Sequence, residues 1–298
     1  MILVISENNE RTTTEIIRWL IYLNKKFIRV HEDEIFEIKI ENKRIFIQSQ
    51  RNCFFIDDIT SVWYRRGGLR FERMKYMDSA VNLHMNEYQH WLEDYVRSSL
   101  ENKRHINKES NYHVNKLIVL DLAKKTGFDV PEYFLAENTN QVNIEDTITK
   151  TIAGNCILEF PENHGFIYTS IIEKKEKEDF FITFFQQKIE KDFEIRTFYL
   201  HGKMWSMAIF SQNDNQTKVD YRRYNKEKPN RNVRYNLPQE IEKKIIKLMT
   251  ELGLTSGSLD FIKSGEKFYF LEVNAIGQFG NVSFHCNYNL DYEIAKSL

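Results

Sequence analysis

Cysteine is nearly missing from this chain, and the little it has does not organise. Cys53, Cys156 and Cys286 lie far apart in 298 residues, with no Cys-x-x-Cys spacing. That excludes a cysteine zinc site and a disulfide frame, and it fits the thiols of a reducing compartment. Net charge is missing as well: 42 basic and 43 acidic residues leave −1, which gives no global attraction for nucleic acid or an anionic membrane. No apolar run approaches the ~20 residues of a membrane span. Met1-Ile-Leu-Val-Ile-Ser6 is too short for a signal peptide and has no basic leader, so a soluble cytoplasmic protein is expected. Three histidines (His84, His90, His105) fall on one helical pattern without sharing a face, which argues against a metal site there.

Aromatic residues are plentiful instead, with 22 Phe and 15 Tyr. Their default reading is core, although flat rings also suit a groove for an extended peptide. The length suffices for two or three modest domains. Ile2 to Ile5 reads as a buried parallel strand. Thr12-Thr-Thr-Glu15 has capping-box spacing ahead of a helix with Ile16, Ile17, Leu20, Ile21 and Leu23. Glu34 to Gln48 alternates as a hairpin about Glu41-Asn42-Lys43. Ile59 to Tyr64 is a strand that delivers Arg65 and Arg66 at its carboxyl end, where open α/β sheets bind ligands. Such a pair could grip a carboxylate or phosphate, or could be a solvated basic turn.

A long helix is expected over Asp78 to about Asn107, with Leu83, Tyr88, Trp91, Leu92, Tyr95, Val96 and Leu100 as its apolar stripe. A second helix runs from Asn115-Lys116 to Lys125 and stops at Thr126-Gly127. The first domain closes near residue 112. Ile144 to Lys150 contains a strand ending in Lys150. Ile157 to Phe160 and Phe166 to Ile172 form a hairpin about an exposed loop, Pro161 to Gly165, followed by a charged linker over Glu173 to Asp179. An aromatic strand from Phe180 to Ile189 opens the last domain. Glu194 to Leu200 then alternates, placing Glu194 and Arg196 on one face, as an ion pair or as ligand-binding groups. Asp220 to Arg234 is a basic, structure-poor stretch suited to an anionic substrate. Pro238 to Gly253 is helical, and a short helix starts near Asp291.

The richest stretch is Phe268-Tyr-Phe-Leu-Glu-Val-Asn-Ala-Ile-Gly-Gln-Phe-Gly280. Glu272 and Asn274, two apart on a strand, point the same way. Upstream, Ser258-Leu-Asp-Phe-Ile262 puts Asp260 in another strand. Two carboxylates and an amide oxygen make a hard, all-oxygen set that suits Mg²⁺; the bland alternative is edge-strand or turn residues. Asp260 joins the face of Glu272 if Ser264-Gly-Glu266 is a three-residue loop, and leaves it if Ser264-Gly265 is a two-residue loop.

The order of these features resembles the ATP-grasp superfamily of ligases from about Asn115 to Gly280. More narrowly, Ser61-Val-Trp-Tyr-Arg-Arg66, Asn111-Tyr-His-Val-Asn-Lys116 and Leu271 to Gly280 resemble the peptide maturases of the grasp-with-spasm and microviridin type. The resemblance implies an α/β (α+β) ATP-grasp fold behind an N-terminal pre-ATP-grasp domain: 1–112, then a central subdomain 113–185 and a C-terminal subdomain 186–298. It implies ATP and Mg²⁺ as cofactors, with Lys150 on the α- and β-phosphates. Gln187, Lys188 and Ile189 would be the adenine hinge, and Glu194 would meet the ribose. Asp260, Glu272 and Asn274 would hold the metal. Arg196, Arg222, Arg223 and Arg231 would neutralise the transferring phosphoryl group, and Arg65 and Arg66 would contact substrate. The implied reaction phosphorylates Asp or Glu side chains of a ribosomal precursor peptide (leader plus core) and condenses them with Thr/Ser hydroxyls or Lys amines. The alternatives are a ligase adding a free amino acid to a protein or small carboxylate, and a binding module that has lost turnover. A homo-oligomer is left open. Thr151 after Lys150, a single glycine near Gly165, and Ala275 after Asn274 depart from the common pattern.

Overall fold

A computed structural model of the chain describes residues 1–143, 146–152, 157–159, 164–166, 168–172, 178–214, 216–223 and 225–298, with backbone alone for 157–159 and 164–166. The chain divides into two compact units, Met1–Tyr112 with Asn289–Leu298, and His113–Tyr288.

In the first unit, β1 (Ile2–Ser6), α1 (Arg11–Tyr22) and β2 (Phe27–His31) form an α/β opening in which β1 pairs parallel with β2. β3 (Ile35–Glu41) and β4 (Arg44–Gln48) make a hairpin, extended by β5 (Cys53–Phe55). Asn42 and Lys43 at its tip both have positive φ, 49° and 64°, as a two-residue hairpin turn of this hand requires. β6 (Ser61–Tyr64), β7 (Arg70–Phe71), α2 (Ser79–Glu101) and β8 (Arg104–Ile106) follow. One sheet has the order β2-β1-β6-β8 and a second β5-β4-β3-β7. Leu3, Val30, Phe36, Ile47, Ile59, Val96 and Leu100 lie in their shared core.

Two expectations fail here. The cap of α1 is Glu10, not Thr12: its carboxylate accepts from the Thr13 N–H at 2.7 Å, and Glu15 pairs with Arg18 at 2.9 Å instead of reaching back. The long helix ends at Glu101 because Arg104–Ile106 leaves it to join the parallel sheet beside β6. Of its expected stripe only Val96 and Leu100 are buried, while Leu83, Tyr88, Trp91, Leu92 and Tyr95 are exposed.

The second unit opens with α3 (Lys116–Lys125), whose N-cap Asn115 accepts from Leu117 and Ile118. Its first sheet is built from β9 (Tyr133–Asn138), β10 (Thr147–Thr149), β13 (Ser170–Ile171) and β14 (Asp179–Gln187) in the order β13-β10-β14-β9, beside a separate pair, β11 (Ile157–Glu159) and β12 (His164–Phe166). The expected 166–172 arm is therefore split between two sheets. Residue 160 of the expected arm, 161–163 of the expected loop and 173–177 of the expected linker lie outside the described residues. The aromatic strand pairs with β9 and β10, so it closes this sheet and does not open the next.

The second sheet has the order β17-β16-β15-β18-β19 and is entirely antiparallel. Its strands are β15 (Phe193–Leu200), β16 (Lys203–Phe210), β17 (Arg231–Tyr235), β18 (Ser256–Ser264) and β19 (Lys267–Asn274), with α4 (Gln239–Glu251) before β18. β17 corrects the structure-poor reading of 220–234. One face of the sheet is apolar: Ile195, Tyr199, Leu259, Phe261, Phe270 and Val273 pack with Ile245, Leu248 and Met249 of α4 and Leu120 and Ala123 of α3. α5 (Gly280–Cys286), not expected from the sequence, lies beyond β19, and α6 (Leu290–Ser297) returns to the first unit. There Trp19 of α1 meets Tyr292 of α6 edge-on at 5.2 Å. The division at 186–298 had put these last residues in the C-terminal subdomain. No helix among the described residues is long and apolar enough to cross a membrane.

Candidate active site

The other face of the antiparallel sheet is charged, and strand alternation puts it there. In β15, Glu194 and Arg196 point away from the apolar core to which Ile195 and Tyr199 contribute. Arg196 is paired in register with Asp260 of β18, and Asp260 with Glu272 of β19. The three side chains thus form one row across three strands. Ser258 and Asn274 form the next such pair.

Neither expected hairpin register is the one adopted. The β18–β19 turn is the two-residue loop Gly265-Glu266, with Ser264 opposite Lys267 and Phe261 opposite Phe270. Gly265 has φ +52°, which glycine adopts without the Cβ penalty. Carried straight on, that register would set Asp260 against Leu271 and leave Glu272 on the apolar side. A β-bulge between Asp260 and Phe261 inserts Leu271 and brings Asp260 opposite Glu272. Bulges re-aim side chains in this way. The shared face was expected; the device that makes it was not.

The row is held by hydrogen bonds. Arg196 Nη1 donates to both Asp260 oxygens at 3.0 and 2.9 Å and to Tyr221 Oη at 3.4 Å, and its other nitrogens reach the Gln278 carbonyl at 3.4 Å. Ser258 Oγ donates to that same carbonyl at 3.2 Å. Gly277 fixes this loop: its φ is +66°, and a Cβ there would meet Phe198 at 3.1 Å. Glu272 takes a 3.0 Å ion pair from Lys116, whose Nζ also donates to the Thr151 carbonyl at 2.9 Å. Lys150 follows β10 directly.

Electrostatics tie these groups together. Burial pushes Asp260 up, Arg196 opposes, and the Glu272 carboxylate adds to the rise. Burial would raise Glu272 too, but Lys150, Lys116 and Arg222 bring it down to about 2. The ammonium of Lys150 is depressed by burial, with Glu272 opposing and Lys116 adding. Arg196 sits above the ordinary guanidinium value because Asp260, Tyr221 and Glu272 outweigh burial. Burial lifts Glu194 to about 7 against the pull of Lys191, which is its ion-pair partner. Glu194 also accepts from Ser211 at 3.4 Å.

The remaining expected residues divide. Arg222 grips Asp220 with two bonds of 2.9 and 2.6 Å and lies close enough to lower both carboxylates of the row. Arg223 reaches Ser170 at 3.5 Å and lies over the Tyr168 ring. Arg231 is a correction: it pairs with Phe210 on edge strand β17, which alternates with Ile209 and so puts it on the apolar side, its guanidinium 5.9 Å from the Phe210 ring centre. Gln187 and Lys188 continue β14 through backbone bonds from their N–H groups to Glu132 and Asp146, at 2.7 and 2.8 Å, with Ile189 next. In the first unit, Arg65 is buried against Glu10 at 3.3 Å, and Arg66 pairs with Glu7 at 3.4 Å.

Sequence reading missed Lys116, Tyr221, Gln278 and Gln186. Gln186 is fully buried, and its side-chain Oε1 and Nε2 both lack a hydrogen-bond partner among the described residues. A buried amide unmatched at both ends is costly unless a ligand completes it. The pair Gln186-Gln187 was visible, but strand alternation alone did not say which one faces inward. No group of three or more His, Cys, Asp or Glu poised to hold a metal occurs among the described residues. Asp260 and Glu272 of the row, with Asn274 in the next pair, offer two carboxylates and an amide, which fits a cation that takes its other ligands from phosphate and water.

With this geometry in place, comparison with known proteins is informative at the level of fold. No family model matches the sequence, and no curated protein does. Solved structures do. A RiPP-associated ATP-grasp ligase of Chryseobacterium gregarium, in complex with ADP and a leader and core peptide, matches with TM-score 0.77 and 22% identity, over 99% of this chain and 94% of that one. The macrocyclase MdnC of Microcystis aeruginosa MRC, bound with precursor peptide MdnA, matches with TM-score 0.74 and 23% identity, over 100% and 97%. The ATP-grasp ligase PsnB, complexed with a phosphomimetic variant of its minimal precursor, Mg and ADP, matches with TM-score 0.69 and 14% identity, over 99% and 96%. The class is therefore set by fold: the chain has the α/β ATP-grasp architecture. These ligases are among the solved structures similar to it over nearly all of its length.

Proposed function

We propose that the protein is an ATP-dependent ligase that joins Asp or Glu side chains of a ribosomally made precursor peptide to Thr/Ser hydroxyls or Lys amines, closing macrocyclic esters or amides. The observation that carries this reading is the row Arg196–Asp260–Glu272 on the polar face of a sheet whose fold is shared with peptide-bound ATP-grasp ligases.

A carboxylate does not condense with an alcohol or amine in water, because hydroxide is a poor leaving group. The reaction therefore runs in two steps. A peptide carboxylate oxygen attacks the γ-phosphorus of ATP, forming an acyl phosphate and releasing ADP. A hydroxyl or amine then attacks the acyl carbon and loses its proton, and phosphate departs with the former carboxylate oxygen. Phosphoryl transfer of this kind is catalysed by positioning and charge neutralisation.

The chain supplies both. Gln186 presents an unmatched donor and acceptor for an adenine edge, next to the backbone groups of Gln187, Lys188 and Ile189. Glu194 accepts from the ribose hydroxyls once Lys191 yields it. Lys150 and Lys116 converge on Glu272 and place positive charge for phosphate oxygens. Arg196 and Arg222, with Arg223 at the loop, neutralise the transferring group. Asp260, Glu272 and Asn274 are the residues that would hold Mg²⁺, which supplies charge neutralisation at the phosphate oxygens when bound. Arg66, less buried than Arg65, is the better candidate for a peptide contact. The units 1–112, 113–185 and 186–298 serve as the pre-ATP-grasp domain and the two grasp subdomains, with the last ten residues returning to the first.

The test is direct. The protein is incubated with ATP, Mg²⁺ and candidate ribosomal precursor peptides, and each peptide is weighed. Loss of one water mass per crosslink is expected. A gain equal to an amino-acid residue would instead support the reading in which a free amino acid is added.

A further inference from the structure

Four consecutive residues of the loop between β16 and β17, Val219 to Arg222, each hold a different part of the second unit. The Val219 carbonyl accepts from Lys191 Nζ at 3.1 Å, the same ammonium that pairs with Glu194. Tyr221 Oη accepts from Arg196 at 3.4 Å, and the Tyr221 carbonyl accepts from Asn230 at 3.3 Å. Between them Asp220 turns inward, its side chain 3% exposed. Its carboxylate accepts from the N–H groups of Thr169 and Arg222, both at 3.0 Å, and from Arg222 Nε and Nη2 at 2.9 and 2.6 Å.

Thr169 lies immediately before β13, in the first sheet of this unit, whereas Lys191 and Arg196 belong to β15 and its approach in the second. One buried carboxylate therefore ties the loop to the first sheet while its neighbours tie it to the second. Burial opposes the charge on Asp220, but Arg222 and the two backbone N–H groups outweigh it and hold the carboxyl below its ordinary value. We propose that Asp220 is a positioning residue for phosphoryl transfer, one that fixes the Arg222 guanidinium beside Asp260 and Glu272, where charge develops on the transferring group.

This inference rests on the function proposed above and adds a residue that touches neither nucleotide nor peptide. The Arg222 side chain is 41% exposed, and a long side chain half in water samples many rotamers unless something holds it. The two-pronged bond to Asp220 removes that freedom before substrate arrives, which preorganises the arginine for charge neutralisation. The guanidinium stands close enough to the row to lower both Asp260 and Glu272. A staple that served only the path of the loop would need the bonds from the Thr169 and Arg222 N–H groups. The fork on the Arg222 side chain does nothing for that path; it aims a charge.

Steady-state ADP release with ATP, Mg²⁺ and precursor peptide, together with the affinity for ADP, tests this on the full chain. Asp220→Ala should lower kcat by about 10²-fold. The KM for ATP and the affinity for ADP, which has no γ-phosphate, should stay within about threefold. In an Arg222→Ala background Asp220→Ala should cost less than about threefold more, because a residue that acts through Arg222 then has nothing left to position. Asp220→Asn keeps the shape and one acceptor oxygen but breaks the fork. Its kcat should fall between the other two, and it keeps the test readable if the truncated loop does not fold. An unchanged kcat overturns the inference. So does a loss of ADP affinity equal to the loss of kcat, the mark of a loop that has merely come loose, and so do losses that multiply in the double variant. A wild type that releases ADP without crosslinking peptide would defeat the proposed function and leave the Asp220 comparison readable in ADP release alone. A wild type that releases no ADP overturns both.

Discussion

The two faces of the five-stranded sheet in the second unit are made from alternate residues of the same strands, yet they follow opposite rules. On one face Ile195, Leu259, Phe261 and Phe270 are sealed under α3 and α4, with Phe128 stacked on Phe270 at 5.5 Å. On the other, Glu194, Arg196, Asp260 and Glu272 are largely withdrawn from water, with their charges set against one another and against Lys191, Lys116, Lys150 and Arg222. Apolar burial of the first kind stabilises a fold. Buried ion pairs of the second kind recover little beyond their own desolvation. Such pairs add little to a fold's stability, which is why the proposed function sets the charged ligand against this second face.

The sharpest way to separate the faces is to damage each and read both stability and turnover. Asp260→Asn should cut ATP-dependent product by about 10²–10³ or more, while near-ultraviolet circular dichroism shows the chain still folded. Unchanged turnover would remove Asp260 from the site. Phe261→Ala should do the reverse, costing about 3–5 kcal/mol in urea unfolding with turnover per folded molecule nearly retained.

The polar face should also carry a pH signature. Glu194 is at about 7 in the folded chain, above its ordinary value near 4.5. Between those values the folded state holds a proton that the unfolded chain has released, so stability falls as pH rises through this window. Glu272, lowered to about 2, has the opposite sign: its contribution is present above about 4.5 and is lost as pH falls toward 2. Glu194→Gln should therefore flatten the decline between pH 4.5 and 7, by up to about 3 kcal/mol, measured by denaturant unfolding across that range. A wild type with no decline there would place Glu194 elsewhere in the titration. The smallest effect belongs to Arg231, which the structure sets on the apolar side of an edge strand. Arg231→Ala should change turnover by less than about twofold and stability by less than about 1 kcal/mol, whereas Arg196→Ala should abolish ATP-dependent product.

Much of this was legible beforehand because a strand's period of two is written in its residues. Glu194 and Arg196 on one face, and Glu272 with Asn274 on one face, needed only alternation. The hairpin turn at Asn42-Lys43 and the end of α3 at Thr126-Gly127 were equally local. What failed to show depended on distant partners. The bulge at Leu271 changes one pairing without changing composition. Lys116, Gln186 and Tyr221 acquire meaning only from groups that approach them in three dimensions. The stripe of α2 has the spacing of a buried seam whether its partner is its own core or lies outside the chain, so periodicity could not tell inside from outside.

The central claim is that the polar face activates a peptide carboxylate through an acyl phosphate. It is tested most directly by labelling the Asp and Glu carboxylates of the precursor peptide with heavy oxygen and running the reaction with ATP and Mg²⁺. The account predicts that each crosslink releases inorganic phosphate carrying one labelled oxygen, and that Asp260→Asn releases none. Crosslinked peptide accompanied by wholly unlabelled phosphate would contradict it.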